Sequence, residues 1–257
     1  MRTSIIGCKT ADISEFGRAK EAVEMNTKVA TDGLENPRGI QTARILRKNV
    51  ESGFVAEDEI THVLMWGTAG PDARMGGSDY PTMVSTASGN QADGRYGSLA
   101  SAQYRKMSAE DGYRAVAFAL LMNTFMKYAS KEYVYMPPTC SCATTAAPAA
   151  AAGVAFLHGL TPQQINDMLC TAQVQMAGVV CDGAKPSCAT RMYVALFGSL
   201  QAMMMAKEGI RATNVEGFVH NDLKVTLENL YRLQHDVLHN KVDAILWDIV
   251  KEQKVIH

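Results

Sequence analysis

The alanine-rich stretch Ala143–Leu157, ATTAAPAAAAGVAFL, limits the folds open to this chain more than any other feature. Alanine loses no rotamer freedom in a helix and is the best helix former. A helix with so little side chain lets its neighbours approach closely and belongs in a core. The segments around it read as helices too. Ser108-Ala-Glu-Asp111 and Thr161-Pro-Gln-Gln164 resemble capping boxes, the second with Pro162 at the first helical position. Asn36 followed by Pro37 reads as N-cap and first residue of a helix through GIQTARILRKNV. Within Cys188–Lys207, MYVALFGSLQAMMMA is apolar all round, which predicts a buried helix with Met203, Met204 and Met205 as core filler. Val219–Leu233 and Asp236–Lys251 predict two amphipathic helices. Strand-like alternation is almost absent and no internal repeat is visible. The expected fold class is therefore all-α, one mostly helical domain over residues 1–257.

Composition narrows the function classes. Net charge is −1 in 257 residues, which gives no electrostatic case for nucleic acid or an anionic membrane surface. No apolar run reaches the length of a membrane span. The start, MRTSIIGC, imitates a lipoprotein signal only weakly, its apolar part being too short, and the expected compartment is the cytoplasm. Thiols stay reduced there, so six cysteines point to metal binding or catalysis before disulfides. Cys8 and Cys170 read as small buried hydrophobes.

One region breaks the helical pattern. Gly67–Gly97, GTAGPDARMGGSDYPTMVSTASGNQADGRYG, is rich in glycine and small polar residues and long for a connector. Loops of that size are usually functional or disordered, and small residues let backbone amides approach an anion. A flexible surface loop is the plain alternative, against which Tyr80, Met83 and Val84 are odd choices.

Two cysteines, Cys181 and Cys188, frame DGAKPS, which contains Gly and Pro and predicts a turn. About forty residues upstream, Cys140 and Cys142 form a Cys-x-Cys pair at the start of the alanine-rich helix. Free backbone N–H groups and the helix dipole lower thiol pKa there and suit thiolate ligands. The spacing is neither the paired Cys-x2-Cys of zinc sites nor a ferredoxin run.

GVVCDGAKPSCATRM resembles the signature of the L-cysteine desulfidase family, which is related to the iron–sulfur L-serine dehydratases through their alpha-chain domain. DARMGGSDYPTMVSTASGNQ, CSCATTAAPAAAAGVAFLHGLTPQQI and EGFVHNDLKVTLENLYRL resemble further family segments in the same order. The resemblance implies a [4Fe–4S] cluster on three cysteines, Cys142, Cys181 and Cys188, with Cys140 the rival of Cys142. It implies an open iron acting as Lewis acid in β-elimination of water or sulfide from a small amino acid such as L-serine or L-cysteine. It places the substrate carboxylate at Ser88, Gly89, Asn90 and Gln91. Lys185 either pairs with an anion at the site or only fixes the turn.

The sequence departs from the family in places. Ala92 follows SGNQ where glycine is usual, and Ser78 follows the double glycine at a position that the resemblance associates with cysteine. The family's N-terminal region, thought to supply the catalytic base, finds no match here. The base is then expected from a second subunit or another copy of the chain. The alternatives are an internal base, with His62, Tyr80 and Asp79 as candidates, or a cluster-binding helical protein without catalysis. His158 and His220 read as helix-end residues.

Overall fold

A computed structural model of the chain describes residues 1–84, 86, 90, 96–132 and 137–254. Among these the fold is all-α, with no named strand and one isolated antiparallel bridge between Thr139 and Val180. The helices are α1 (Arg2–Thr10), α2 (Gly17–Glu35), α3 (Thr42–Glu51), α4 (Glu59–Met75), α5 (Tyr96–Tyr104), α6 (Ala109–Ala129), α7 (Ala147–Leu157), α8 (Pro162–Met176), α9 (Cys188–Lys207), α10 (Leu223–Arg232) and α11 (His239–Lys254).

The alanine-rich helix is the centre. Every residue of α7 is buried. Its smallness is required: a Cβ on Gly153 would collide with the Ser98 side chain and come within 2.9 Å of the Ala115 carbonyl. Ser98 on α5 donates to the Ala150 carbonyl at 2.9 Å, so α5 and α6 both lie directly on α7. Phe118, Met126, Ile165, Met168, Leu196 and Leu200 fill the space around it. Both expected capping boxes are present, at Ser108 with Asp111 and at Thr161 with Gln164.

Four sequence expectations change. The break in helicity is shorter than Gly67–Gly97, because Gly67–Met75 completes α4 and Tyr96 opens α5. The small residues GTAGP serve close packing: a Cβ on Gly33 of α2 would collide with the Ala69 carbonyl. Pro71 sits inside α4, buried, at the cost of one helix hydrogen bond. Second, Asn36 does not open α3. It ends α2 in an extended conformation, as a residue before proline prefers, and its amide donates to Asp32 Oδ1 at 2.6 Å. Third, the two C-terminal helices are joined by a π-helical turn, Leu233–Leu238, into one run from α10 to α11. Fourth, α9 is not buried all round. Met203 is core, but Val194, Phe197 and Met204 are exposed. No described helix is long and apolar enough to cross a membrane.

Candidate functional site

The four cysteines of the two motifs come together through backbone. Cys140 N–H donates to the Val179 carbonyl at 2.7 Å and Cys181 N–H to the Pro138 carbonyl at 2.8 Å, the two bonds of the Thr139–Val180 bridge. This short ladder sets the Cys-x-Cys turn beside the start of the Cys181–Cys188 turn. Cys142 then begins a π-helical turn, Cys142–Ala146, that runs into α7, while Cys188 begins α9. A second π-helical turn borders the same bridge, where the buried Gln234 donates its amide to the Thr139 hydroxyl. Single π-helical turns inside helices recur at functional sites.

The thiols feel one another. The Cys142 S–H bonded to Cys140, together with the N–H groups of Ala143 and Cys142 and the charge of Arg191, pulls the Cys140 thiol down to about 6 against the effect of burial. Cys142 is pushed well up by that same bond, by burial and by the charges of Cys140, Cys188 and Cys181. Burial raises Cys181, with Cys140 and Cys188 adding to it. Four sulfurs thus share one electrostatic neighbourhood. Cys188 is nevertheless turned into its own loop, its Sγ 3.7 Å from the Gly183 carbonyl and 3.5 Å from Lys185 N. Among the described residues no three His, Cys, Asp or Glu side chains stand ready to hold a metal ion as they are. The donor set itself, soft thiols at two helix starts with cationic Arg191 nearby, fits an iron–sulfur cluster.

The Cys181–Cys188 turn is fixed from within. Gly183 takes φ +95°, open to glycine at little cost. Asp182 pairs with both Lys185 and Arg191, so in this geometry the Lys185 ammonium braces the turn. The remaining two cysteines lie apart in the core. Cys8 is raised by burial, and Cys170 is pushed to about 11 by burial, as inert buried thiols are.

The end of α4 leads from this turn to the glycine-rich segment. Gly39 packs between the Asp72 carbonyl and Pro186, where an added Cβ would lie 3.7 Å from the proline ring. Gly76 packs so tightly on Gly39 that no side chain fits there. Arg74 reaches from α4 to donate to Asn90 Oδ1 at 2.9 Å, and Asn90 is buried. Ser88, Gly89 and Gln91 lie outside the described residues. Met83 exchanges two hydrogen bonds with the Asn26 amide, at 3.1 and 2.8 Å. Thr86 is held from α6, by Asn123 at 2.7 Å on its hydroxyl and by Lys127 at 3.4 Å on its carbonyl.

Of the three internal-base candidates, His62 lies away from the glycine-rich segment, while Asp79 and Tyr80 lie on it. His62 is near the start of α4, twelve residues before Arg74, about 18 Å along the helix. It rests against Trp66 and Tyr104 with ring centroids 6.3 and 5.8 Å away, and burial lowers its pKa. Asp79 is exposed, and Tyr80 is half exposed on a cleft of about 670 Å³ shared with Asp32, Glu35 and Asn36. His158 and His220 do occupy helix-end positions: His158 bonds Glu59 at 2.9 Å and the His220 ring accepts from Asp222 N–H.

Sequence reasoning missed three residues that the structure draws in: Glu132, Lys127 and Gln234. Glu132 is buried, and Ser141, the residue between Cys140 and Cys142, donates to it at 2.7 Å. Arg74 was inside a quoted motif but carried no assigned role. Only burial shows the others, since FMKYASKE and QHD carry no motif that marks Lys127, Glu132 or Gln234.

The serine dehydratase alpha chain family model matches residues 8–246, nearly the whole chain. The chain belongs to the serine dehydratase alpha chain family. Similar proteins include the UPF0597 protein of Dichelobacter nodosus (strain VCS1703A), 30% identical over 253 residues, covering 96% of this chain and 56% of that protein. The UPF0597 protein of Clostridium botulinum (strain Langeland / NCTC 10281 / Type F) is 32% identical over 247 residues, 95% of this chain and 56% of that protein. That of Alkaliphilus oremlandii (strain OhILAs) is 30% identical over 236 residues, 91% and 54%. The chain spans about half the length of these relatives. The family is one generally associated with iron–sulfur chemistry.

Proposed function

We propose that this chain is the cluster-bearing part of an iron–sulfur lyase that eliminates water or sulfide from a small amino acid such as L-serine or L-cysteine. The observation that carries the reading is the Thr139–Val180 bridge, which brings two cysteine turns from a serine dehydratase alpha chain sequence into one thiol neighbourhood. Cys142, Cys181 and Cys188 hold the cluster, the set that the family resemblance implies, and the Thr139–Val180 bridge supports it by setting their two turns side by side. Cys140, whose thiol is pulled down to about 6 partly by two backbone N–H groups, remains the rival of Cys142 for the third place. Cys188 must give up its contacts with Gly183 and Lys185 to join them. When bound, a [4Fe–4S] cluster with one open iron supplies a Lewis acid for a poor leaving group.

The rest is the work of the chain. The glycine-rich segment, from Ser88 to Gln91, takes the substrate carboxylate through backbone N–H groups and amides, with the Arg74 guanidinium beside Asn90 adding positive charge. An α-proton needs a positioned base, worth roughly 10²–10⁴ in rate. His62 lies about 18 Å along α4 from Arg74, and none of the family-like segments supplies a residue that the resemblance marks as the base, so the base comes from a second polypeptide or a second copy that reaches over the glycine-rich segment, with Asp79 and Tyr80 as the internal alternatives.

The test is anaerobic reconstitution of the full chain. Iron of about four per chain and a brown colour are expected. The chain alone should form almost no pyruvate, ammonia or sulfide from L-serine or L-cysteine, and should form them once a co-purifying chain is added. Turnover of about 1–100 per second by the monomer would place the base within these residues. A colourless zinc protein under strict anaerobiosis would overturn the cluster.

A further inference from the structure

The Glu132 carboxylate is almost fully enclosed, its side chain 1% exposed. Oε2 accepts from the Ser141 hydroxyl at 2.7 Å, and Oε1 from Ser130 at 3.2 Å. The Lys127 ammonium, itself 11% exposed, stands 3.8 Å from Oε2. Backbone geometry holds the carboxylate there: Lys131 at φ +55° ends the α6 run, and Glu132 N–H returns to the Lys127 carbonyl at 3.0 Å. Each partner leads somewhere. Ser141 is the residue between Cys140 and Cys142, and its carbonyl accepts from the Thr145 hydroxyl at 2.7 Å inside the π-helical turn. Lys127 donates to the Thr86 carbonyl, and Asn123, one helical turn earlier on α6, holds the Thr86 hydroxyl.

Stability does not account for this arrangement. Replacing a buried ion pair by apolar residues of similar size is often neutral or stabilising, because desolvation offsets the attraction. A buried charge that joins two segments is better explained by the geometry it fixes. The joined segments are the two that the site needs in register, the Cys-x-Cys turn and the glycine-rich segment.

We propose that Glu132 is a positioning residue: its carboxylate holds Ser141, and so the Cys140–Cys142 turn, while Lys127 ties that carboxylate to Thr86 so that the cysteine turn and the glycine-rich segment keep one register. The inference deepens the function proposed above and rests on that reading only for its meaning in catalysis, since none of the tie's bonds involves a cysteine sulfur.

The test uses the full-length chain, first metal-free. Backbone hydrogen exchange is followed at residues 139–146 in wild type, Glu132→Gln, Lys127→Met and the double variant, with the urea midpoint of each. Glu132→Gln should speed exchange at 139–146 about tenfold, the size expected when a hydrogen bond to a charged group becomes one to a neutral amide, with little change in the midpoint. Lys127→Met should speed it less, and the double variant should match Glu132→Gln, as for two members of one tie. Ser141→Ala, which keeps the carboxylate, should loosen the same residues and covers the case in which Glu132→Gln does not fold. The reconstituted protein gives a second readout: iron content should hold in Glu132→Gln while the electron paramagnetic resonance line shape of the reduced cluster shifts. Unchanged exchange at 139–146 overturns the proposal. So does loosening that spreads through the chain in step with the urea midpoint, which is what a merely structural residue would give. Wild-type protein that takes up no iron would instead overturn the proposed function and leave the exchange result standing.

Discussion

Cys140 and Cys181 are placed by their own backbones, through the two N–H groups of the Thr139–Val180 bridge. Met83, Thr86 and Asn90 are placed by the side chains of other helices: Asn26 from α2, Asn123 and Lys127 from α6, Arg74 from α4. The difference has a consequence. A bond between backbones survives almost any substitution, so the cysteine turns hold their place while their side chains are free to do chemistry. A segment held by side chains can be released one anchor at a time, and each anchor is a point at which evolution or binding can adjust it. The cysteine region is thus the fixed half of the site and the glycine-rich segment the adjustable half.

The largest expected effect tests the fixed half. Cys181→Ser or Cys188→Ser, and Cys142→Ser with them, should remove essentially all iron and the brown absorbance, measured after anaerobic reconstitution. The far-ultraviolet circular dichroism should not change, because the bridge that positions these residues uses no sulfur. Cys140→Ser should keep its iron. Loss of helicity in Cys181→Ser would break the claim that this half is set without its sulfurs.

The adjustable half should respond differently. Asn26 is buried and satisfies both backbone groups of Met83, so Asn26→Ala leaves an N–H and a carbonyl without their partners. A loss of about 2–3 kcal/mol in unfolding free energy is expected, with iron content unchanged. If iron falls in proportion to stability, the two halves are one cooperative unit and the comparison fails. Next in size is Asn90→Ala, expected to weaken substrate binding by about 1–3 kcal/mol with the cluster intact. Isothermal titration of the reconstituted chain with a substrate carboxylic acid measures it, and equal affinity in variant and wild type would remove Asn90 from the carboxylate site.

The same contrast explains what could be read from the sequence. Local rules were enough where one segment determines its own structure: the capping boxes at Ser108 and Thr161, the buried alanine helix, and the turn at Gly183. They failed where a distant segment decides. Gly67–Met75 looked like loop because glycine and proline break isolated helices, but α2 crosses so closely at Gly33 that only small residues fit. Asn36-Pro37 fits the end of one helix as well as the start of another, and the hydrogen bond to Asp32 decides for the end. The cysteines of the candidate site were visible as motifs. The Ser141–Glu132–Lys127 tie was not, because it joins residues with no shared pattern and only burial gives it meaning.

The smallest effect concerns the point where the adjustable half begins. Asp32 is buried against Arg38, 3.0 Å from its Nε, and also accepts from Asn36 and Ser78. Arg38 in turn donates to the Gly77 carbonyl, so this carboxylate anchors the chain as it leaves α4. Burial alone would raise the Asp32 pKa, but the hydrogen bonds from Ser78, Asn36 and Arg38 and the arginine charge outweigh it, and the group titrates below the ordinary aspartate range. A carboxylate whose folded pKa is depressed contributes stability above its unfolded pKa, about 3.9, and loses that contribution as pH falls through the folded value. Wild type should therefore lose stability below about pH 4 partly through this group, and Asp32→Asn should lack that component. Urea midpoints measured across the acid range, taken as the difference between wild type and variant, isolate it from the other carboxylates. The difference should be constant at neutral pH and shrink in acid. A difference that stays constant down to the acid unfolding transition would show that Asp32 holds Arg38 by shape alone and that the anchor is not electrostatic.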